Sequence, residues 1–372
     1  MADIEEKYML RAIELAVKGE GFTNPNPMVG AVIVKDGKII AEGYHRRYGE
    51  LHAERDALAS LAGSEDTGSS GRPAEGATIY VTLEPCCHHG KQPPCTDAII
   101  GSGISRVVIG SRDPNPLVAG KGVKILRDAG IEVVEDFLRD ECDAINAVFF
   151  KYITTGKPYV VLKYAMTMDG KTATKTGASK WITGEASRAE VQHLRHKYMA
   201  IMAGIGTVLA DDPMLNVRTD GLKSPVRVIC DSTLKIPMDS NIVRTADRYR
   251  TIVAHCTENS EKEKMLNDAM ITTVCTPADN GHTDVAYLMS RLGELGIDSV
   301  LVEGGGTLND SIIRAGLADA VEVFIAPKIF GGREAKTPVE GTGIEKVDEA
   351  GVFKLTDVKR YGDDIRLSYR KW

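Results

Sequence analysis

The chain has 372 residues, 43% of them hydrophobic and 26% charged, and it carries a formal net charge of −6. Its length predicts about two domains, and its composition is that of a soluble globular protein. The net negative charge argues against a general nucleic-acid binder, no apolar run approaches the roughly 18 residues of a membrane span, and the acidic N-terminal residues do not resemble a signal peptide.

The seven cysteines are an odd number spread over a long chain, which does not suggest a disulfide framework. We therefore expect a reducing, cytoplasmic setting. Clustered cysteines in that setting more often bind metal than form disulfides.

The first part of the chain predicts strands that alternate with helices. Apolar spacing predicts a helix over residues 5–19, and "MVGAVIVKDGKIIAEGYH" predicts two strands joined by a turn at Asp36-Gly37. One helix opens at His52, and another begins at Cys95. Further strands are predicted at 76–85, 105–111 and 131–136, with a helix at 122–130. The alternation indicates an α/β fold with a layered sheet.

A domain boundary is predicted near residue 147. A helix over residues 142–156 ends at Gly156, Pro158 follows it, and a new series of strands and helices begins at Tyr159. We therefore predict one domain over residues 1–147 and a second over 148–372.

The stretch "TLEPCCHHGKQPPC" and the earlier "HAE" carry the residue types of a catalytic zinc site. His52, Cys86 and Cys95 are a standard set of three zinc ligands that leaves the fourth position to water. A His-x-Glu followed by Pro-Cys and a second cysteine is the pattern of zinc nucleobase deaminases, in which the glutamate moves protons. We therefore assign Glu54 as the general acid and base.

Two other interpretations of the cysteines stay open. In a structural site of three cysteines and one histidine, Cys87 would also bind the metal, but Glu54 would then need no carboxylate. Alternatively, the cysteines are only buried apolar groups, which does not explain why ligand types cluster beside a Pro-Cys turn.

The whole chain resembles the bifunctional deaminase/reductase family of riboflavin biosynthesis, in "NPNPMVGAVIV", "HAE", "TLEPCCHHGKQPPC" and "RDPNPLVAGKG". Cytidine and tRNA adenosine deaminases usually keep two residues between their cysteines, whereas eight separate Cys86 from Cys95 here. The resemblance implies a cytidine-deaminase-like three-layer domain that replaces an amino group of a phosphoribosylamino-pyrimidine with oxygen.

The long interval between the cysteines suits a phosphorylated substrate. His88 and Lys91 are candidate phosphate contacts, although Lys91 could also be a solvated loop charge. By resemblance, Asn26 would hydrogen-bond the pyrimidine, and Asp113 and Asn115 would line the same pocket.

The second half of the chain lacks the Gly-x-Gly-x-x-Gly pattern of dinucleotide folds. It contains "DSVLVEGGGTLNDSIIRAGLAD", which predicts a strand, a glycine turn at Gly304–Gly306 and a helix. Such a turn lets backbone N–H groups approach a pyrophosphate, but it is also typical of an ordinary strand–helix junction.

"KYAMTMDGKTATKTGASKWITG" and "IMAGIGTVLADDPMLNVR" resemble the reductase half of the same family, which has a dihydrofolate-reductase-like fold and uses NADPH. The resemblance implies cofactor contacts at Ala165, Trp181, Thr207, Asp211, Ser232, Gly304, Gly305, Gly306, Thr307 and Leu308. It implies substrate-phosphate contacts at Ser179, Arg195 and Arg218, and ribose contacts at Lys163 and Glu303. Arg195 could instead be a surface charge, and His193 and His196 are expected at the surface.

The sequence therefore predicts a zinc- and NADPH-dependent enzyme of riboflavin biosynthesis. It would deaminate 2,5-diamino-6-(5-phosphoribosylamino)pyrimidin-4-one to 5-amino-6-(5-phosphoribosylamino)uracil and then reduce ribosyl to ribityl. We expect small-molecule substrates, no nucleic acid or membrane partner, and a homo-oligomer, dimeric or tetrameric. The alternatives are a deaminase whose second domain only supports oligomerisation, and a zinc-stapled binding protein without activity.

Overall fold

The structure, a computed structural model, describes residues 4–61, 72–90, 92–115 and 118–371. The chain forms two units, residues 1–155 and 156–372. The boundary predicted near residue 147 falls at the first residue of the last helix of the first unit, Ala147–Thr155, and that helix belongs to the first unit as a whole.

The first unit contains one mixed sheet. Its strands are β1 Gly30–Lys35, β2 Lys38–Tyr44, β3 Thr78–Leu83, β4 Arg106–Ser111 and β5 Glu132–Val134. Its helices are α1 Glu6–Val17, α2 Ala53–Leu61, α3 Cys95–Ser102, α4 Lys121–Asp128, α5 Arg139–Ile145 and α6 Ala147–Thr155. The strand order is β2-β1-β3-β4-β5, with β1 antiparallel to both neighbours and β3, β4 and β5 parallel.

The alternating side chains of β1 show how this sheet is covered on both faces. Ile33 packs in an apolar cluster with side chains of α2, α3 and α4. Its neighbour Val32 points to the opposite face and packs with α1 and Cys142 of α5. The first unit is therefore a helix–sheet–helix sandwich of three layers, as predicted.

The hairpin prediction is confirmed, because Asp36 and Gly37 both have positive φ between β1 and β2. The prediction of one continuous helix over residues 142–156 is wrong. Asn146 separates α5 from α6, and its side chain makes a paired contact with the backbone of Met28: the Met28 N–H donates to Oδ1 and Nδ2 donates to the Met28 carbonyl, each at 2.8 Å. This long-range contact leaves no signal in the local sequence.

The second unit contains a larger sheet and a separate small sheet formed by β11 and β12. The strands of this unit are β6 Tyr159–Thr167, β7 Ala200–Gly204, β8 Val226–Cys230, β9 Thr251–His255, β10 Ile271–Cys275, β11 Ala278–Asp279, β12 His282–Thr283, β13 Ser299–Val302, β14 Ala320–Ala326, β15 Lys354–Tyr361 and β16 Asp364–Arg370. Its helices are α7 Glu185–Lys197, α8 Ile205–Asp211, α9 Asn241–Arg244, α10 Ser260–Asp268, α11 Val285–Glu294 and α12 Gly306–Arg314, with a short 3₁₀ turn at Val347–Glu349.

The strand order β10-β9-β8-β7-β13-β6-β14-β16-β15 places β13 between β7 and β6. In this order, every neighbouring pair from β10 across to β14 is parallel, so the carboxyl ends of these strands lie along one edge of the sheet. Ligands of open parallel sheets usually bind at that edge. No helix within the described ranges combines the length and the apolar character needed to cross a lipid bilayer.

Candidate active sites

The structure brings His52, Cys86 and Cys95 together in the first unit. His52 precedes α2, Cys86 follows β3, and Cys95 is the first residue of α3. The Nδ1 atom of His52 lies 3.5 Å from each cysteine Sγ, and the three donor atoms lie within 4.8 Å of one another. These spacings fit a tetrahedral zinc ion, whose bonds to sulfur and nitrogen measure about 2.3 and 2.0 Å.

Backbone hydrogen bonds hold the two cysteines side by side despite the long loop between them. The carbonyl of Cys86 accepts N–H groups from Cys95 at 3.0 Å and from Thr96 at 3.2 Å. The Cys95 N–H also lies 3.4 Å from the Cys86 sulfur. The pKa of Cys86 is lowered to about 4, chiefly by a hydrogen bond with the Cys95 thiol. The same hydrogen bond raises the pKa of Cys95. Thiolate is the form of cysteine that binds zinc.

Glu54 lies in the first turn of α2 and is only 3% exposed. Burial, together with the charge of Cys86, raises the pKa of its carboxyl group. A carboxyl group with a raised pKa beside a metal site is suited to accept and return a proton. Cys87 is half-buried and is not among the three clustered donors.

A cavity of about 300 Å³ opens over these residues. Its lining includes His52, Glu54 and Cys86 together with the predicted substrate residues Asn26, His88, Asp113 and Asn115. Lys91, the other predicted phosphate contact, lies outside the described residues. Phe149 and Tyr152 of α6 add an aromatic wall that the sequence analysis did not assign.

A buried carboxylate fixes the start of α4. Glu84 accepts backbone N–H groups from Gly120 and Gly122, both at 3.1 Å. Earlier in the chain, Asp113 accepts the N–H of Asn115 at 2.8 Å. Burial raises the pKa of Asp113 to about 6. Two carboxylates of the cavity lining are therefore held in place by backbone N–H groups of nearby residues.

His45 is a cavity residue that the sequence reasoning missed. Its Nδ1 donates to the carbonyl of Leu51 at 2.9 Å, so its Nε2 accepts from the side-chain amide of Asn26 at 3.3 Å. Burial lowers the pKa of His45, which favours this neutral tautomer. His45 thereby orients the Asn26 amide. A possible signal was its place at the end of β2, seven residues before His52.

In the second unit, Lys163, Arg195 and Glu303 form a buried ionic cluster. The Nε and Nη2 atoms of Arg195 donate to the two carboxylate oxygens of Glu303 at 2.7 and 3.0 Å, and Nζ of Lys163 lies 3.5 Å away. Side-chain exposures are 11%, 15% and 12%. Arg195 is therefore not a surface charge. The expected surface position of His196 is wrong: this side chain is buried, and its Nδ1 accepts the Lys223 N–H at 2.9 Å.

Burial alone would raise the pKa of Glu303. The guanidinium of Arg195 and the ammonium of Lys163 outweigh that effect and hold its pKa at about 2. Glu303 directly follows β13, and Lys163 lies in the adjacent strand β6. The cluster thus stands near the carboxyl edge of the parallel sheet and is ionised at neutral pH.

A second cavity, of about 360 Å³, lies at the same edge. Its lining includes the predicted cofactor residues Ser232, Thr307 and Leu308 together with Gly204 and Gly206. In the adjoining turn, a Cβ atom added at Gly304 would lie 2.8 Å from the Leu308 side chain. One added at Gly306 would lie 2.4 Å from the Glu340 side chain. A Cβ at Gly304 would press on the Leu308 side chain and one at Gly306 would displace the Glu340 side chain, whereas a Cβ at Gly305 would have nothing within 4 Å.

The other predicted cofactor residues lie on three separate elements. Ala165 is in β6, and Thr207 and Asp211 are in α8. Trp181 is 58% exposed, with the Arg188 guanidinium 4.6 Å from the centre of its ring. Lys180 joins the Trp181 segment to α8, because its Nζ lies 3.2 Å from a carboxylate oxygen of Asp211.

Two predicted phosphate contacts lie in loops. Ser179 is half-buried in the segment before α7. Arg218 is exposed, and its N–H donates to the Gln192 side chain at 2.9 Å. Arg195 donates to the Asn216 carbonyl at 3.1 Å, so α7 holds the loop that carries Arg218 at two points.

Comparison with known proteins identifies the family. Residues 2–111 match the cytidine and deoxycytidylate deaminase zinc-binding region, and residues 158–367 match the RibD C-terminal domain. The riboflavin biosynthesis protein RibD of Actinobacillus pleuropneumoniae is 52% identical, over 99% of this chain and 95% of that protein. The chain belongs to the RibD family.

Other RibD proteins match over nearly their whole length. The RibD protein of Escherichia coli is 41% identical, over 98% of both chains. The solved RibD structure from Acinetobacter baumannii has a TM-score of 0.87 at 38% identity and covers 98% of both chains. A solved deaminase/reductase from Thermotoga maritima has a TM-score of 0.86 at 41% identity, over 99% and 98%. These matches confirm the predicted fold class for both halves of the chain.

The clustered metal-donor residues of the first unit fit the match of residues 2–111 to a deaminase zinc-binding region. One histidine and two cysteines, one of them favouring thiolate, stand at ligand spacing, and a buried carboxyl group lies beside them. In the second unit, the open face of Gly305 and the start of α12 offer backbone N–H groups that suit a dinucleotide pyrophosphate.

Proposed function

We infer that this chain is a bifunctional enzyme of riboflavin biosynthesis that uses zinc and NADPH. It deaminates 2,5-diamino-6-(5-phosphoribosylamino)pyrimidin-4-one to 5-amino-6-(5-phosphoribosylamino)uracil and then reduces the ribosyl group to ribityl. The main support is that one chain holds two distinct sites. The first unit has a His-Cys-Cys cluster beside buried Glu54, and the second has a buried Lys163–Glu303–Arg195 cluster. Full-length similarity to RibD proteins supports both halves of the reaction.

In the deaminase unit, we propose His52, Cys86 and Cys95 as the zinc ligands. Zinc held by these residues would supply an activated water molecule. Glu54 would accept a proton from the attacking water and deliver one to the amino group, which would leave as ammonia. Glu54 is buried apart from its place in the cavity lining, which limits the access of bulk water to its carboxyl group.

The substrate of this unit would lie in the cavity beside Asn26, Asp113 and Asn115, with its phosphate toward His88 and Lys91. His88 and its neighbour His89 are both exposed, but only His88 is in the cavity lining. We expect His88→Ala and Lys91→Ala each to raise the KM about tenfold, because each removes a charge-assisted hydrogen bond. Steady-state ammonia release measures this, with His89→Ala as the matched control. Equal KM values for all three variants would contradict the phosphate site.

In the reductase unit, the NADPH contacts are proposed at Ala165, Trp181, Thr207, Asp211, Ser232, Gly304, Gly305, Gly306, Thr307 and Leu308. NADPH supplies a hydride to the first carbon of the sugar. Lys163 and Glu303 would hold the ribose, and Ser179, Arg195 and Arg218 would hold its phosphate. With a pKa of about 2, Glu303 is a carboxylate at neutral pH. It would therefore accept hydrogen bonds from the sugar hydroxyls. It would not be the group that donates the proton needed for the reduction.

The full-length protein, the diamino substrate and NADPH are sufficient to test this function. We expect equal amounts of ammonia and NADP⁺ to form, with ammonia released even when NADPH is omitted. Ammonia production and absorbance at the NADPH maximum measure the two steps. Ammonia without NADPH oxidation would instead indicate a deaminase whose second unit has no catalytic role.

We also propose a cytoplasmic homo-oligomer, a dimer or a tetramer. All seven cysteines are thiols and not disulfides, which suits the reducing compartment in which zinc thiolates persist. Sedimentation equilibrium measures the mass in solution. A single species at the 40.3 kDa of one chain would contradict the oligomer.

A further inference from the structure

Arg55 contacts the loop that joins the two cysteines. This residue directly follows Glu54 in the first turn of α2. Its Nε donates to the carbonyl of Pro93 at 3.1 Å, and its Nη2 donates to the carbonyl of Pro94 at 3.0 Å. These are the two carbonyl groups that immediately precede Cys95. One guanidinium therefore holds the backbone through which the loop enters α3.

Two prolines alone leave the direction of Cys95 undetermined. The proline ring fixes φ, but it leaves ψ free, and ψ sets where the next peptide points. Pro94 has ψ of 137° and caps α3 without a side-chain hydrogen bond. A fork that binds both carbonyls fixes this angle at Pro93 and Pro94 together. With the backbone in this position, the Cys95 sulfur lies 3.5 Å from Nδ1 of His52.

The two ends of the loop are held differently. Cys86 lies three residues after β3, an inner strand of the sheet, and the hydrogen bonding to β4 continues to Glu84, whose N–H donates to the Ser111 carbonyl at 3.0 Å. Cys95 follows eight loop residues; the Cys86 carbonyl accepts its N–H, and further contacts hold the loop backbone ahead of it. Arg55 supplies two of them, and Gln92 supplies another through its side-chain amide, which donates to the Gly49 carbonyl at 3.2 Å.

We propose that Arg55 is a positioning residue for the zinc site, which it serves by fixing the backbone ahead of Cys95. This inference rests on the proposed zinc ligands. One turn of α2 and the residue before it then supply three functions: a metal ligand at His52, a proton carrier at Glu54 and a loop anchor at Arg55. Contacts outside the ligand shell commonly change metal affinity about 10–100-fold.

The test measures zinc transfer from the zinc-loaded full-length protein to a coloured chelator. We expect Arg55→Met to release zinc about tenfold faster than wild type, and Arg55→Lys to fall between them because lysine keeps the charge but lacks the rigid fork. Arg127→Met is the matched control, since it removes an arginine of α4 that donates to Val133 and Glu135 instead.

Thermal unfolding of the zinc-free variants separates positioning from general stability. The proposal expects Arg55→Met and Arg127→Met to unfold at similar temperatures without zinc and to differ in zinc release. A wild-type release rate in Arg55→Met overturns the proposal. If Arg55→Met does not fold, a wild-type rate of zinc release from Arg55→Lys overturns the proposal, because it shows that the guanidinium's two contacts are not needed. Zinc retained by His52→Ala would instead overturn the ligand assignment itself.

Discussion

Glu54→Gln is expected to lower the rate of ammonia release by about 10²–10⁴-fold, the usual range for loss of a general acid–base group. Glutamine fills nearly the same volume, but it neither accepts the proton of the attacking water nor returns it to the amine. Glu54 is not among the three clustered donors, so the variant should retain zinc at the wild-type level. Metal content by mass spectrometry and ammonia release from the diamino substrate measure the two results.

The same variant tests the order of the two reactions. With the diamino substrate, NADPH oxidation should disappear together with deamination. With 5-amino-6-(5-phosphoribosylamino)uracil supplied directly, oxidation should continue at the wild-type rate. Glu50→Gln is the matched control, because Glu50 is an exposed carboxylate in the lining of the same cavity. Oxidation of NADPH by the Glu54 variant with the diamino substrate would show that reduction does not wait for deamination.

The metal cluster was predictable because its evidence is local. His52 and Glu54 stand together in one motif, the proline-flanked cysteines stand in another, and both motifs specify residue types that zinc chemistry requires. The secondary structure around them also followed from short-range patterns, such as the Asp36-Gly37 turn.

The parts that escaped prediction depend on contacts between distant segments. The pairing of Asn146 with Met28 spans 118 positions and divides a stretch whose apolar pattern reads as one helix. Arg195 and Glu303 are 108 positions apart, so the sequence left a surface arginine as an open alternative. His45 is anchored by the Leu51 carbonyl, and Arg55 binds the carbonyls of Pro93 and Pro94; backbone carbonyls carry no residue identity. Sequence patterns therefore give ligand types well and give their supporting contacts poorly.

Glu303→Gln is the second change with a large expected effect. It leaves Arg195 and Lys163 buried without their carboxylate, and removal of one partner from a buried ion pair commonly costs about 3–5 kcal/mol. We expect NADPH oxidation to fall by at least about a hundredfold, since the ribose loses its acceptor and both cations lose their fixed positions. Ammonia release should stay at the wild-type level, because Glu303 belongs to the other unit.

The pH dependence of stability gives this prediction a second, independent measurement. Folding lowers the pKa of Glu303 to about 2 from an unfolded value of about 4.3, so its contribution is fully present above about pH 4.3 and is lost as the pH falls toward 2. The difference in unfolding free energy between wild type and Glu303→Gln should therefore be constant from pH 6 to 8 and should shrink in acid. Urea unfolding followed by circular dichroism measures it, with the exposed Glu334→Gln as control. If the difference instead grew as the pH fell, the carboxylate would not be the stabilised form, and the ionic cluster would not be what holds the ribose site in place.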